Sequence, residues 1–140
     1  MAATLVLGVA LGNMLVPRDS SGPIAPEGGR LVASADLESA LYAQLASAPV
    51  EGQPRIGLTF RDRSGSICRT FTDHEASGLA CREGGDWRMR ALLQGGEGDR
   101  GEYRMAASGD PRLAEIVDSA IAGEPFDAAQ EKEAQQRGWK

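Results

Sequence analysis

Between residues 55 and 93, apolar and polar positions alternate in short runs separated by turn residues; on either side the apolar spacing lengthens to that of a helix. Ile56, Leu58 and Phe60 share one face of RIGLTF, a half-buried strand pattern, ahead of a turn at 62–65. In SICRTFT, Ile67 and Phe71 share one face, with Cys68, Thr70 and Thr72 on the other. After DHEAS, Leu79 and Cys81 share a face of GLACRE. Gly84-Gly85 suits a two-residue primed hairpin turn, and Trp87, Met89, Ala91 and Leu93 share a face of the run that follows. EYRMA at 102–106 is a candidate fifth strand.

The turns set the registers. With turns at 62–65 and 84–85 and a four-residue loop at 73–76, Phe60 faces Ile67, Cys68 faces Cys81, and Cys81 faces Arg88. One face then collects Ile56, Leu58, Phe60, Ile67, Phe71, Ala80, Trp87, Met89, Ala91 and Leu93. The other collects Thr59, Arg61, Thr70, Thr72, Glu83, Arg88 and Arg90 with the cysteines. Three separate turn assignments agree on one apolar face, and this supports the scheme. Opposed residues on antiparallel strands bring their Cβ atoms near disulfide range, so Cys68 and Cys81 are expected to be bridged. Two free thiols and a metal site are the alternatives. A zinc site needs four ligands, whereas the chain has two cysteines, one histidine and no CxxC, so no metal ligand is assigned. A bridge implies an oxidising compartment and stabilises a short closed loop by roughly 3 kcal/mol.

Helices flank the strands. Leu31 to Ala33 read as a short edge strand. Ser34 is an N-cap candidate with Asp36 and Glu38 in the first turn. Leu37, Ala40, Leu41, Leu45 and Ala48 make an apolar stripe that predicts a helix over 35–47, with Pro49 as its limit. Asp110, Pro111 and Gly123 bracket a second helix whose stripe is Leu113, Ile116, Val117, Ala120 and Ile121. Asp127 can cap a mostly polar third helix ending at Gly138, its ends pinned by Phe126 and Trp139; a frayed polar tail is the alternative. The expected fold is α+β: an antiparallel β-meander of about five strands with helices packed on one face.

The N-terminus follows a different pattern. Residues 1–16 contain no charge, and Leu5, Val6, Leu7, Val9, Leu11, Met14, Leu15 and Val16 surround a helix on all sides. The run is slightly short of the roughly 20 residues that span a bilayer, so it reads as a truncated transmembrane helix. An atypical signal, lacking the usual basic segment, and an ordinary core helix are the alternatives. Residues 17–29, rich in proline and glycine, read as a linker, and 30–140 as the folded domain. A domain of this size buries only about 60–65% of its unfolded surface and benefits from a covalent staple.

Charge and motifs narrow the function. A net charge of −5 argues against nucleic acid, whose binding needs a clustered basic surface. Arg61, Arg69, Arg82, Arg88 and Arg90 make a basic patch on the sheet, read as solvated strand faces, with an anionic partner surface as the alternative. Asp73, His74 and Glu75 are adjacent in a hairpin loop, where side chains diverge and form no relay. The sequence has no G-x-S-x-G, P-loop or dinucleotide fingerprint, so no catalytic or cofactor-binding residue is assigned and the chain is not expected to be an enzyme.

The order of segments carries a resemblance. An apolar helix, GPIAPEGGRLVAS, ALYAQLASAP, TFRDRSGSICRTF, GLACREGGDWRMR and AGEPFDAAQEKEAQQRGW together resemble the transmembrane and periplasmic part of alphaproteobacterial anti-sigma factors. The resemblance covers nearly all of the chain and is most specific over TFRDRSGSICRTF and GLACRE. It implies a single-pass inner-membrane protein with its C-terminal domain in the periplasm. That domain would respond to an unidentified periplasmic signal or protein. A cytoplasmic, zinc-associated domain, missing from this chain, would hold an extracytoplasmic-function sigma factor. The competing expectation is a free-standing, membrane-anchored periplasmic binding or structural domain.

Overall fold

The computed structural model describes residues 24–27, 30–74, 76–94 and 110–140. The chain runs β1 (Ile24–Glu27), β2 (Arg30–Ala33), α1 (Ala35–Ala43), β3 (Arg55–Arg61), β4 (Ile67–Asp73), β5 (Ala76–Glu83), β6 (Asp86–Gln94), α2 (Pro111–Ala120) and α3 (Ala128–Gln136). The strands form one antiparallel sheet of six, in the order β1-β2-β6-β5-β4-β3. The α+β class and antiparallel meander are as expected. The sheet gains a strand at its start: Ile24–Glu27, read as linker, pairs with Arg30–Ala33. Leu31–Ala33 is consequently not at the edge, since β2 lies between β1 and β6. The candidate strand at 102–106 and the apolar run at 1–16 lie outside the described residues. Among the described residues, no helix is long and apolar enough to cross a membrane.

Local chemistry explains the ends of the elements. The Ser34 side chain accepts from the Leu37 amide and starts α1, which stops at Gln44 rather than continuing to 47. Asp110 and Pro111 start α2 as expected. Asp127 and Gln130 form a reciprocal capping box on α3, so the polar C-terminal segment is a seated helix. At its far end Gly138 and Trp139 take positive φ (70° and 61°), and the Trp139 amide returns to the Ala134 carbonyl.

Two of the expected registers hold. Cys68 faces Cys81, and Cys81 faces Arg88. The β4–β5 loop is shorter than read: Asp73 pairs with Ala76, and His74 (φ 48°) follows directly on β4. The third register holds at Ile56, which faces Phe71, but not at Phe60, which faces Cys68 rather than Ile67 because the turn pairs Arg61 with Ile67 instead of Ser66. A bulge between Ile56 and Thr59 joins the two registers. There the Leu58 amide donates to Thr70 Oγ1 (2.8 Å) instead of to a ladder carbonyl. Gly57 permits this, since a Cβ at that position would lie 2.6 Å from the same hydroxyl. A second bulge, at Arg90 in β6, pairs Leu79 with Ala91 but Ala80 with Met89.

Each bulge transfers side chains across the sheet, so apolar residues occupy both faces rather than one. Ile56, Ile67, Phe71, Ala80 and Trp87 pack with Leu37, Ala40 and Leu41 of α1, Ala134 of α3 and Trp139. Phe60, Leu79 and both cysteines pack under Leu113 and Val117 of α2, with Ala91 and Leu93 beside them. Helices therefore cover both faces, not one. Leu58, the extra residue of its bulge, is left exposed. The segment after α2 runs along the outer edge of β3: the Ala122 and Phe126 amides donate to the Arg61 and Thr59 carbonyls, and Asp62 bridges Ile121.

Candidate functional site

The two sequence-assigned residues, Cys68 and Cys81, lie directly opposite each other on β4 and β5 with their sulfurs 2.01 Å apart, a bonded distance. Both are buried beneath α2. The Asp62 carboxylate lies within 4.8 Å of the sulfurs, but sulfurs bonded to each other offer no thiolate to a metal. Asp62 serves its own turn instead. Its Oδ1 accepts from the Ser64 and Ser66 amides (2.9 Å each) and from Ser64 Oγ (2.6 Å). Burial alone would push this carboxyl up; those hydrogen bonds and the Arg90 charge outweigh it and hold Asp62 below the ordinary carboxylate value.

The arginines read as a solvated patch divide by face. Arg88 and Arg90 pair with Glu83 on the surface. Arg82 lies over the Tyr42 and Trp87 rings, 4.6 and 5.8 Å from their centroids. Arg69 is the correction: its side chain is 0% exposed. Standing between Ile67 and Phe71 on β4, it shares their inward face, and strand parity was the overlooked signal that would have placed it there.

Arg69 joins three elements through one guanidinium. Nε donates to Thr59 Oγ1 (3.0 Å), Nη1 to the Leu41 carbonyl, and Nη2 to the Gln44 carbonyl (2.7 Å) and Glu131 Oε1 (2.6 Å). The two carbonyls belong to the C-terminal end of α1, where a cation also meets the negative end of the helix dipole. The group stacks on Trp139, 4.2 Å from the ring centroid. Glu131 on α3 completes its own set by accepting from Thr59 Oγ1 (2.9 Å) and the Ala46 amide (3.1 Å). Burial lowers the Arg69 pKa while the Glu131 hydrogen bond and charge raise it again; an arginine stays protonated throughout the working range. The pair is thus a hydrogen-bonded buried ion pair, suited to fixing α3 against α1 and the sheet. Glu131 had no sequence signal of its own, because its place on an otherwise polar helix suggests a solvated residue.

Asp73 and His74 sit at a hairpin tip, the histidine exposed and 3.7 Å from the carboxylate; Glu75 is outside the described residues. An open hollow of about 210 Å³ is lined by Arg61, Phe126, Gln130, Glu133, Ala134, Arg137 and Lys140. Two of its three cations are engaged, Arg137 with Glu133 and Arg61 with the Gly65 and Lys140 carbonyls. Comparison with protein families, with curated proteins and with solved structures finds no match to this chain.

Proposed function

We propose that this chain is the extracytoplasmic regulatory domain of a membrane-anchored anti-sigma factor, acting on an extracytoplasmic-function sigma factor through a cytoplasmic domain outside these residues. The observation that carries this reading is the Cys68–Cys81 bond beneath α2. Such a bond persists in an oxidising compartment, and the uncharged run at 1–16 is a means of holding the domain there. The segment order from GPIAPEGGRLVAS to AGEPFDAAQEKEAQQRGW adds support by its resemblance to that family. A second reading, a free-standing membrane-anchored periplasmic binding or structural domain, draws on the open basic hollow at Arg61, Arg137 and Lys140.

The test compares two proteins: the 140-residue chain, and the same chain extended by the in-frame upstream coding sequence. Each is co-purified with the sigma factor encoded beside it. The extended protein should retain the sigma factor and the short one should not. Tight binding by the short chain would overturn this division of labour. Failure of the extended protein would favour the free-standing domain.

A further inference from the structure

The C-terminal helix is attached unlike the other two. Helix α1 docks through Leu37, Ala40 and Leu41, all but fully buried, and α2 through Leu113 and Val117. Helix α3 has no apolar side chain larger than alanine, and only Glu131 and Ala134 of its nine residues are buried. Its hold on the domain is mainly polar. Glu131 reaches Arg69, Thr59 and the Ala46 amide; Gln135 Nε2 donates to the Ala43 carbonyl (2.8 Å), and Trp139 Nε1 to the Tyr42 carbonyl (3.1 Å). Trp139, edge-on to Trp87 at 6.0 Å, is the one large apolar anchor beyond the partly buried Phe126.

From these contacts we infer that the C-terminal segment 127–140 is a detachable clasp occupying a peptide-binding groove on the sheet. Opening does not strand a charge. Once α3 leaves, Arg69 keeps Thr59 and the Leu41 and Gln44 carbonyls as acceptors and hydrates the fork that faced Glu131, while Glu131 hydrates in solution. A nine-residue helix is not stable alone, so the released segment unfolds. Asp127, exposed and just past the Phe126 amide that bonds to β3, is where the segment can swing away. What opening uncovers is the Arg69 guanidinium and the Trp87 ring, the two groups that Trp139 touches. That surface fits a partner segment carrying a carboxylate and, about two helical turns on, an aromatic residue, as Glu131 and Trp139 are spaced. The resident segment is its template, and the groove would serve a free-standing domain as well as a regulatory one.

Native-state hydrogen exchange on the full chain tests the clasp. Amides of α3 should exchange at least about ten-fold faster than those of β4 and β5, by opening that leaves the sheet folded. Glu131→Gln should accelerate α3 further and leave β4 and β5 unchanged. Exchange of α3 in step with the sheet, in either protein, would overturn the clasp. A labelled peptide of residues 126–140 then tests the groove. It should bind the full chain carrying Glu131→Gln and Trp139→Ala at least about ten-fold more tightly than the unmodified chain, whose own segment competes. Equal or absent binding to a variant whose β4 and β5 amides remain protected would refute the groove.

Discussion

Gly78 has a role that only its missing side chain explains. It pairs with Phe71 across the β4–β5 ladder, and an added Cβ would press on the Ala91 carbonyl and sit 2.7 Å from Phe71 Cζ. Gly78→Ala should therefore destabilise the domain by about 1–3 kcal/mol, the range for overpacking, in chemical denaturation. Asp62 makes a pH-dependent contribution. Because its folded pKa is lowered, its contribution is complete above the ordinary carboxylate value of 3.8 and is lost as pH falls through the folded value. Asp62→Asn should accordingly flatten the acid limb of stability between pH ~5 and ~2 relative to the unmodified protein. Arg69 and Glu131 respond to the number of partners removed. Arg69→Met alone leaves the Glu131 carboxylate buried without its cation and should cost about 3–5 kcal/mol in the same assay. Adding Glu131→Leu should recover part of that loss, since no buried charge then remains.

At the level of elements, helices and hairpins were legible in sequence where local rules decide them. Ser34, Asp110 with Pro111, and Asp127 start the helices they were expected to start. Gly84-Gly85 makes the expected two-residue turn, with φ of 59° and 100°. The bulges were not legible, because period-two alternation assumes an unbroken ladder and a single extra residue reverses every side chain beyond it. Ala91 and Leu93 thus moved to the disulfide face, where the first turn's one-residue shift had already put Phe60, and together they created the second core that α2 covers. Strand β1 was hidden by proline and glycine, which signal loops, although an edge strand tolerates proline. The candidate site was legible as far as the Cys68–Cys81 register, while the ion pair depends on two elements 62 residues apart. Trp87 shows how far elements depend on one another. It is 1% exposed and lies against Tyr42 of α1 and Trp139 beyond α3. Trp87→Ala should cost about 3–5 kcal/mol, and in a Trp139→Phe background its fluorescence should be blue-shifted and protected from quenchers.

At the scale of the whole molecule, the bond between Cys68 and Cys81 closes a short loop, the two residues being 13 apart in sequence. Cys68→Ala with Cys81→Ala should cost roughly 3 kcal/mol, read as a lower denaturation midpoint, and reductant should shift the unmodified protein in the same direction and leave the double variant unmoved. The sheet is also closed at its margins. On one side the chain following α2 bonds to the Arg61 and Thr59 carbonyls of β3. On the other, β1 is only four residues long and includes Pro26, which has no amide hydrogen to offer. Among the described residues, neither margin offers a long ladder of free donors and acceptors on which another copy could add a strand. Growth of the sheet from molecule to molecule, the first step towards fibrils, is blocked at both described margins while the native fold persists, so the domain can be concentrated without polymerising.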